Sequence, residues 1–284
     1  MFLFFRSTEL NHPSRLFFSV LCLSLSSNAV AEESIQVGGT GTGTLLMQRI
    51  IESHAKLKPK VQIKAVMPPM GSNGSLRALE AGAIQLAIVT FPSIYTTMPE
   101  DAGKYKITFW ARTPFVFTGH DISNDTKLTL GQVAEIYSGQ ITQWPNGTPV
   151  RLITRTERES DTRILRAISP EIDAAVLLAL KRTGMPFAEN DVDNLQLLEM
   201  NPGSFGTIAL GQLMLSGSIL KPARLDGVLP SPENLQSGKY RYAKPLYLVT
   251  TGAASPATLE FIKYLQSTEV VKLIRRYGFI TKQD

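Results

Sequence analysis

The chain has 284 residues, 43% hydrophobic and 19% charged, a balance that belongs to a folded globular protein and excludes a disordered or fibrous one. Its length suits one large or two ordinary domains, each able to bury its own core. The formal net charge of +5 is mild and comes without a Lys/Arg block, so it favours small anions as partners and gives no sign of nucleic-acid binding.

The N-terminus carries Arg6 and Arg15, then an apolar run from Leu16 to Leu25 that is too short to span a bilayer. Ala29-Val30-Ala31 follows, a small-x-small site just before Glu32. This order is that of a secretory signal peptide over residues 1–31 and predicts a periplasmic protein. A membrane anchor is the alternative reading of the same run. Cys22 is preceded by Leu21, where a lipoprotein signal would carry a small residue. Cleavage after Ala31 leaves no cysteine, so neither a disulfide nor a cysteine metal site is expected.

Ile35 to Val37 reads as a strand leading into Gly38-Gly39-Thr40-Gly41-Thr42-Gly43-Thr44. From Leu45 a helix follows, with Leu46, Met47, Ile50, Ile51 and Leu57 on one face. Val61 to Val66 alternates as a strand, Met67 to Gly74 is a Pro/Gly/Ser loop, and Leu76 to Ala81 is a helix that Gly82 can end. Ala83 to Val89 is almost wholly apolar, as in a strand buried on both faces. Strand–helix–strand–helix–strand in this order predicts an α/β fold with a parallel sheet.

Phe115 to Thr118 is a further strand, and Thr129-Leu130-Gly131-Gln132 fits a capping box for a helix ending at Gly139. Val150 to Thr154 is a strand, Ser160 can cap the helix after it, and Ala174 to Leu180 is the body of another helix. Pro222 to Gly238 is aperiodic and rich in Pro and Gly, so it is a long connection. Leu246 to Thr250 is a strand. Ser255-Pro256 starts a helix with Leu259, Ile262 and Leu265 inward. Thr268 caps a last helix, with Glu269 in its first turn, Arg275 and Arg276 in its last and Gly278 beyond, charges that suit the helix dipole.

Three polar, small-residue turns precede helices: Thr40 to Thr44, Gly71 to Ser75, and Ser160 to Thr162. A helix start offers free N–H groups and partial positive charge, hydroxyls add donors without bulk, and glycine lets the backbone come close. Each turn alone also reads as a plain helix cap. No Gly-Lys-Ser/Thr follows Gly38 to Thr44, so it is not a nucleotide P-loop.

Gly71-Ser72-Asn73-Gly74-Ser75-Leu76-Arg77-Ala78-Leu79, followed by Gly82-Ala83-Ile84-Gln85-Leu86-Ala87, resembles the phosphate-binding proteins of ABC transporters. So do Leu128-Thr129-Leu130 with Ile136-Tyr137-Ser138-Gly139-Gln140-Ile141-Thr142-Gln143-Trp144, the turn Pro202-Gly203-Ser204-Phe205-Gly206, and Phe261 to Ser267 with Gly278-Phe279. The resemblance implies a two-lobe periplasmic-binding-protein fold (type II), each lobe a sheet flanked by helices. Residues 32–113 and 242–284 would form lobe I and residues 114–241 lobe II. It implies a small oxyanion, phosphate first, held between the lobes of a monomer that serves an inner-membrane ABC transporter permease. Thr42, Gly43, Thr44 and Ser72 would contact the anion from lobe I, and Arg155, Ser160, Asp161 and Thr162 from lobe II. Arg155 would supply full charge and a planar fork of donors; Arg158 and Arg163 are rivals for that part.

Two departures from the family pattern bear on the ligand. The family's acidic residue two before the proline that ends the buried strand is Thr90 here, and its Ser-Gly-Thr is Ser160-Asp161-Thr162. Asp161 either replaces the missing acid, favouring a protonated anion, or points to solvent as a helix-start residue. Molybdate, sulfate, a small organic acid or a sensory role are the competing readings. An enzyme such as a phosphatase is not indicated: His54 and His120 lack metal-ligand spacing, no Ser-His-Asp motif is visible, and no cofactor or metal is expected.

Overall fold

The computed structural model describes residues 34–54, 61–91 and 104–282, apart from the side chain of His54. The expected signal segment and the Ala31 cleavage site lie outside the described residues. Residues 32–284 make one compact unit.

The chain opens β1 (Ser34–Gly39), α1 (Gly41–His54), β2 (Gln62–Ala65), α2 (Gly71–Glu80), β3 (Leu86–Val89). β1 lies between β2 and β3, parallel to both. This is the alternating α/β start that the hydrophobic periods predict. β3 has β1 on one edge and β11 (Ala243–Thr251) on the other, and it is buried along its whole length because Leu86 and Ile88 pack with Leu46 and Met47 of α1 on one face and Ala87 and Val89 with Leu79 of α2 on the other. A strand in that position has no face for water, hence its unbroken apolar run.

β4 (Tyr105–Thr118) is far longer than the four residues expected. Its first part pairs antiparallel with β11, and Phe115 to Thr118 pair with β9 (Ser204–Ala209). β4 and β11 thus run through the middle of a seven-stranded sheet ordered β2-β1-β3-β11-β4-β9-β6 among the described residues, β6 being Arg151–Leu152. Two lobes share this sheet. In one, Ile35, Val37, Leu46, Met47, Ile50, Trp110, Leu248, Phe261 and Ile274 form a core. In the other, Phe115, Phe117, Val133, Tyr137, Ile172, Val176 and Phe205 do so. Leu215, from α7 (Leu210–Ser216), packs into the first core.

The second lobe is closed by an aromatic group around Phe205. Phe117 stacks on it at 6.0 Å between ring centroids, and Trp144 meets it edge-on at 5.8 Å. Trp144 also donates its indole N–H to the Gly203 carbonyl at 3.1 Å. Two of the motifs that carry the family resemblance, the Trp144 segment and the Pro202-Gly203 turn, are therefore partners in one packing unit. Burial of a Phe side chain such as Phe205 is worth about 1.5–3 kcal/mol.

Thr129 and Gln132 form the expected capping box on α3 (Leu130–Ser138), and Gly139 ends it in a left-handed conformation. Ser255 caps α9 (Pro256–Leu265) as expected, but Leu259 is 40% exposed and the inner face is Thr258, Phe261 and Leu265. The last helix, α10 (Thr268–Arg275), is capped by Ser267 rather than Thr268. The connection from Pro222 to Gly238 contains β10 (Arg224–Leu225), which pairs with β5 (Lys127–Leu128), and the short α8 (Pro232–Gln236). Among the described residues no helix is long and apolar enough to cross a membrane.

Candidate functional site

The stretch read as a loop from Gly38 to Thr44 is mostly helix: Gly41 to Thr44 form the first turn of α1. Packing accounts for two of its glycines. A Cβ on Gly43 would stand 2.6 Å from Cγ2 of Ile88 in β3, and one on Gly41 would collide with Asp191. The Gly43 N–H donates to the Thr40 hydroxyl at 3.1 Å, and the Thr44 N–H to the Thr40 carbonyl at 2.8 Å. Thr42 is fully buried. Its N–H donates to Asp191 Oδ2 at 2.9 Å, and its hydroxyl to Gln212 Oε1 at 2.9 Å.

Gly71 to Ser75, also read as a loop, open α2. The Ser72 hydroxyl accepts the Thr90 N–H at 3.0 Å and lies 3.3 Å from the Thr90 carbonyl. Thr90, in the place of the family's acid, donates its own hydroxyl to the Pro245 carbonyl at 2.9 Å. Ser72 and Thr90 together tie the start of α2 to the end of β3.

In the other lobe, Arg155 ends β7 (Thr154–Arg155), and α4 (Ser160–Arg166) follows. The cap of α4 is Glu159, one residue before the expected Ser160, with no side-chain cap bond among the described residues. Ser160 Oγ lies 3.5 Å from Asp161 Oδ1, and the Thr162 hydroxyl 3.3 Å from the Arg155 carbonyl. Asp161 is 1% exposed, which overturns the alternative of a solvent-facing helix-start residue. It bonds the Lys244 ammonium at 2.6 Å.

Arg155 lies within a buried charge cluster. Its guanidinium bonds the Asp191 carboxylate, reaches Glu159 at 2.8 Å and approaches Asp161 at 3.6 Å. Lys244, 0% exposed, bonds Asp161 and Asp191, the latter at 3.2 Å. Burial alone would raise the Asp191 carboxyl, but Lys244, then Arg155 and the Thr42 N–H, hold it well below the usual carboxylate range. Burial would likewise lower Lys244 and Arg155, and their carboxylate neighbours raise both instead. Glu159 is pushed up, by burial first and then by the two nearby Asp carboxylates, against the pull of Arg155.

The sequence reading missed Asp191, Gln212, Lys244 and Glu159. Asp191 opens α6 (Asp191–Met200), a helix whose buried positions Asp191, Asn194, Leu195 and Leu198 have helical spacing but are half polar. Lys244 was open to discovery: in β11 it shares the inward face with Leu246 and Leu248, and a lysine at that period-2 position requires a buried acid.

Two cavities adjoin the cluster. One of about 80 Å³ is lined by Thr40 and Gly41 at the start of α1, Gly71 at the start of α2, and Arg155, Ser160 and Asp191. The other, of about 540 Å³, lies between Ser72, Arg77 and Phe91 on one side and Arg158, Ser160 and Arg163 on the other. Thr42, Gly43, Thr44, Asp161 and Thr162 line neither. Among the described residues no group of three His, Cys, Asp or Glu could hold a metal.

Residues 26–269 match the PBP superfamily domain. "Phosphate-binding protein PstS 2" of Streptococcus agalactiae is 30% identical over 87 residues, which is 30% of this chain and 29% of that protein. A Clostridium perfringens structure described as a phosphate ABC transporter substrate-binding protein with bound phosphate has a TM-score of 0.73 at 19% identity, covering 88% of this chain and 99% of that one. An ABC-type phosphate transport receptor from Vibrio cholerae has a TM-score of 0.61 at 19% identity, covering 87% and 99%. The resemblance that the sequence motifs carry is found again in these relatives, and the two structures share the fold. With most of its length matched, the chain belongs to the PBP superfamily.

Proposed function

We propose that the chain is an exported solute-binding protein that captures a small oxyanion, phosphate first, between two lobes and delivers it to an ABC transporter permease. The lobes are residues 32–113 with 242–284, and residues 114–241, and the protein acts as a monomer. One observation carries the reading: the first residues of α1 and α2, together with Ser160 and Arg155, line one small polar cavity, whose wall also holds Glu159, Glu189 and Asp191. N–H groups at helix starts and a guanidinium are suited to a tetrahedral anion. The names of the relatives point the same way.

Calorimetric titration of the purified protein with phosphate, sulfate and molybdate tests it. Phosphate is expected to bind most tightly; no heat and no thermal shift with any of the three would sink the reading.

A second reading is favoured by the larger cavity, where Arg77, Arg158 and Arg163 stand beside Met70, Leu76 and Phe91. About 540 Å³ is within the range of organic ligand sites, and the mixed lining suits a carboxylate or phosphate ester with an apolar body. Adding organic phosphates and small carboxylic acids to the titrations separates the two.

A further inference from the structure

The buried charge cluster holds an anion already, and that anion is part of the chain. The Asp191 carboxylate accepts the Thr42 N–H in the first turn of α1 and bonds both Arg155 and Lys244. The Thr42 hydroxyl stands 3.3 Å from the same oxygen. A backbone N–H at a helix start, a guanidinium and an ammonium make up the donor set that an oxyanion would require, while the Thr42 hydroxyl gives its proton to Gln212. The fit is tight, since even a methyl group on Gly41 would strike Asp191. Gln212 braces the arrangement, accepting from the Thr42 hydroxyl and donating to the Asp191 carbonyl at 2.6 Å.

We propose that Asp191 is an internal competitor for the oxyanion, occupying the α1 subsite so that an external anion binds there only by displacing it. This rests on the proposed oxyanion site between the lobes. The charges make the competition concrete. Arg155 and Lys244 face Asp161, Asp191 and Glu159, so the positive groups are already outnumbered. An anion added without displacement meets a cluster with no positive charge to spare, whereas one that replaces the Asp191 carboxylate inherits its partners. Asp191 thereby sets the affinity of the site.

The test is phosphate titration of the wild type, Asp191→Ser and Asp191→Asn at fixed ionic strength, with circular dichroism melts to show that each is folded. Asp191→Ser vacates the position and is expected to bind phosphate at least tenfold more tightly than the wild type. Asp191→Asn keeps the shape, removes the charge and should gain less. Glu189→Gln removes an exposed acid from the wall of the same cavity. A gain from it equal to that of Asp191→Ser would mean general charge repulsion and would overturn the proposal. So would folded Asp191 variants that bind no tighter than a wild type that does bind. If no protein binds phosphate, sulfate or molybdate, the oxyanion reading itself falls, and the proposal with it. Should both variants fail to fold, stopped-flow binding to the wild type decides: displacement requires the observed rate to level off as phosphate rises, and a rate that stays linear into the millimolar range overturns it.

Discussion

Helices α1 and α2 start in much the same way, the first with Gly41-Thr42-Gly43-Thr44 and the second with Gly71-Ser72-Asn73-Gly74-Ser75, and neither has an acidic residue in its first turn. Their surroundings differ. At α1, Thr42 is fully buried and its donors go to Asp191 and Gln212 of the other half of the chain. At α2, Ser72 is half-buried, is tied to Thr90 of its own lobe, and borders the larger cavity. A helix start is only a potential anion site. Which carboxylate the rest of the fold brings within reach decides whether it becomes a structural joint or stays open to a ligand.

The largest expected effect breaks the α1 side of this comparison. Lys244→Met removes one of the two cations that balance buried Asp161 and Asp191. Leaving buried carboxylates uncompensated typically costs about 3–5 kcal/mol, which urea unfolding would show as a large fall in midpoint. Arg77→Ala, the counterpart beside α2, alters an exposed side chain and should stay within about 0.5 kcal/mol. Comparable losses from both would show that the buried cluster contributes nothing special.

Thr42→Val comes next. It keeps the volume and the N–H bond to Asp191 but removes the hydroxyl that Gln212 Oε1 accepts. Stranding a buried acceptor costs about 1–3 kcal/mol. Gln212→Leu alone also strands the Asp191 carbonyl that the Gln212 amide serves, so the double variant should lose more than Thr42→Val but less than the sum of the two single losses; an additive loss would show that the two side chains act independently.

The acid side of the stability curve sharpens the contrast between buried Asp191 and half-buried Glu159. The Asp191 carboxyl lies below its ordinary value of 3.8, so it contributes stability that is present above pH 3.8 and is lost as pH falls through the lower folded value. Glu159 is raised above 4.5, so folding favours its protonated form, and stability declines as pH rises from 4.5 through the folded value. Asp191→Asn should flatten the curve below pH 3.8, and Glu159→Gln should remove the shallow decline above 4.5. Melting temperature measured from pH 2.5 to 7 checks both.

How much of this was legible depended on how local each signal was. The α/β start, the Thr129 capping box and the buried Leu86–Val89 strand each follow from a short run of residues, and each is present. The three small-residue turns were read as preceding helices and are instead the helices' own first turns, and their donors could not be assigned. Thr42 pairs with Asp191, 149 positions away, and no local pattern carries that. Arg155 was read as the full charge offered to a ligand, with a surface salt bridge as the alternative; three acids surround it, and the pairing is buried, because a sequence shows charges without showing which of them fold together. β4 was read short since its Phe115–Thr118 end is buried on both faces, while from Tyr105 to Phe109 half-buried and exposed positions alternate.

Ser72→Ala is expected to cost less than the changes at α1 and bears most directly on what α2 is for. The Ser72 hydroxyl accepts the Thr90 N–H at 3.0 Å, and the alanine leaves that donor without its partner. The orphaned N–H belongs to Thr90, which is buried, and losing its partner would cost about 1–3 kcal/mol in a dry site; Ser72 and Thr90 both border the larger cavity, so water can replace part of the bond and a loss near 1 kcal/mol is expected. If Ser72 also holds the oxyanion, phosphate affinity falls as well, by about fivefold for a bond of that strength. Stability and affinity falling together assigns the hydroxyl both roles. A loss of stability alone makes Ser72 a strut between α2 and β3, and the open start of α2 then serves the ligand through its backbone N–H groups. No change in either measurement would mean that the Ser72–Thr90 pairing does not hold α2 in place, and the distinction drawn between the two helix starts would fail at its open end.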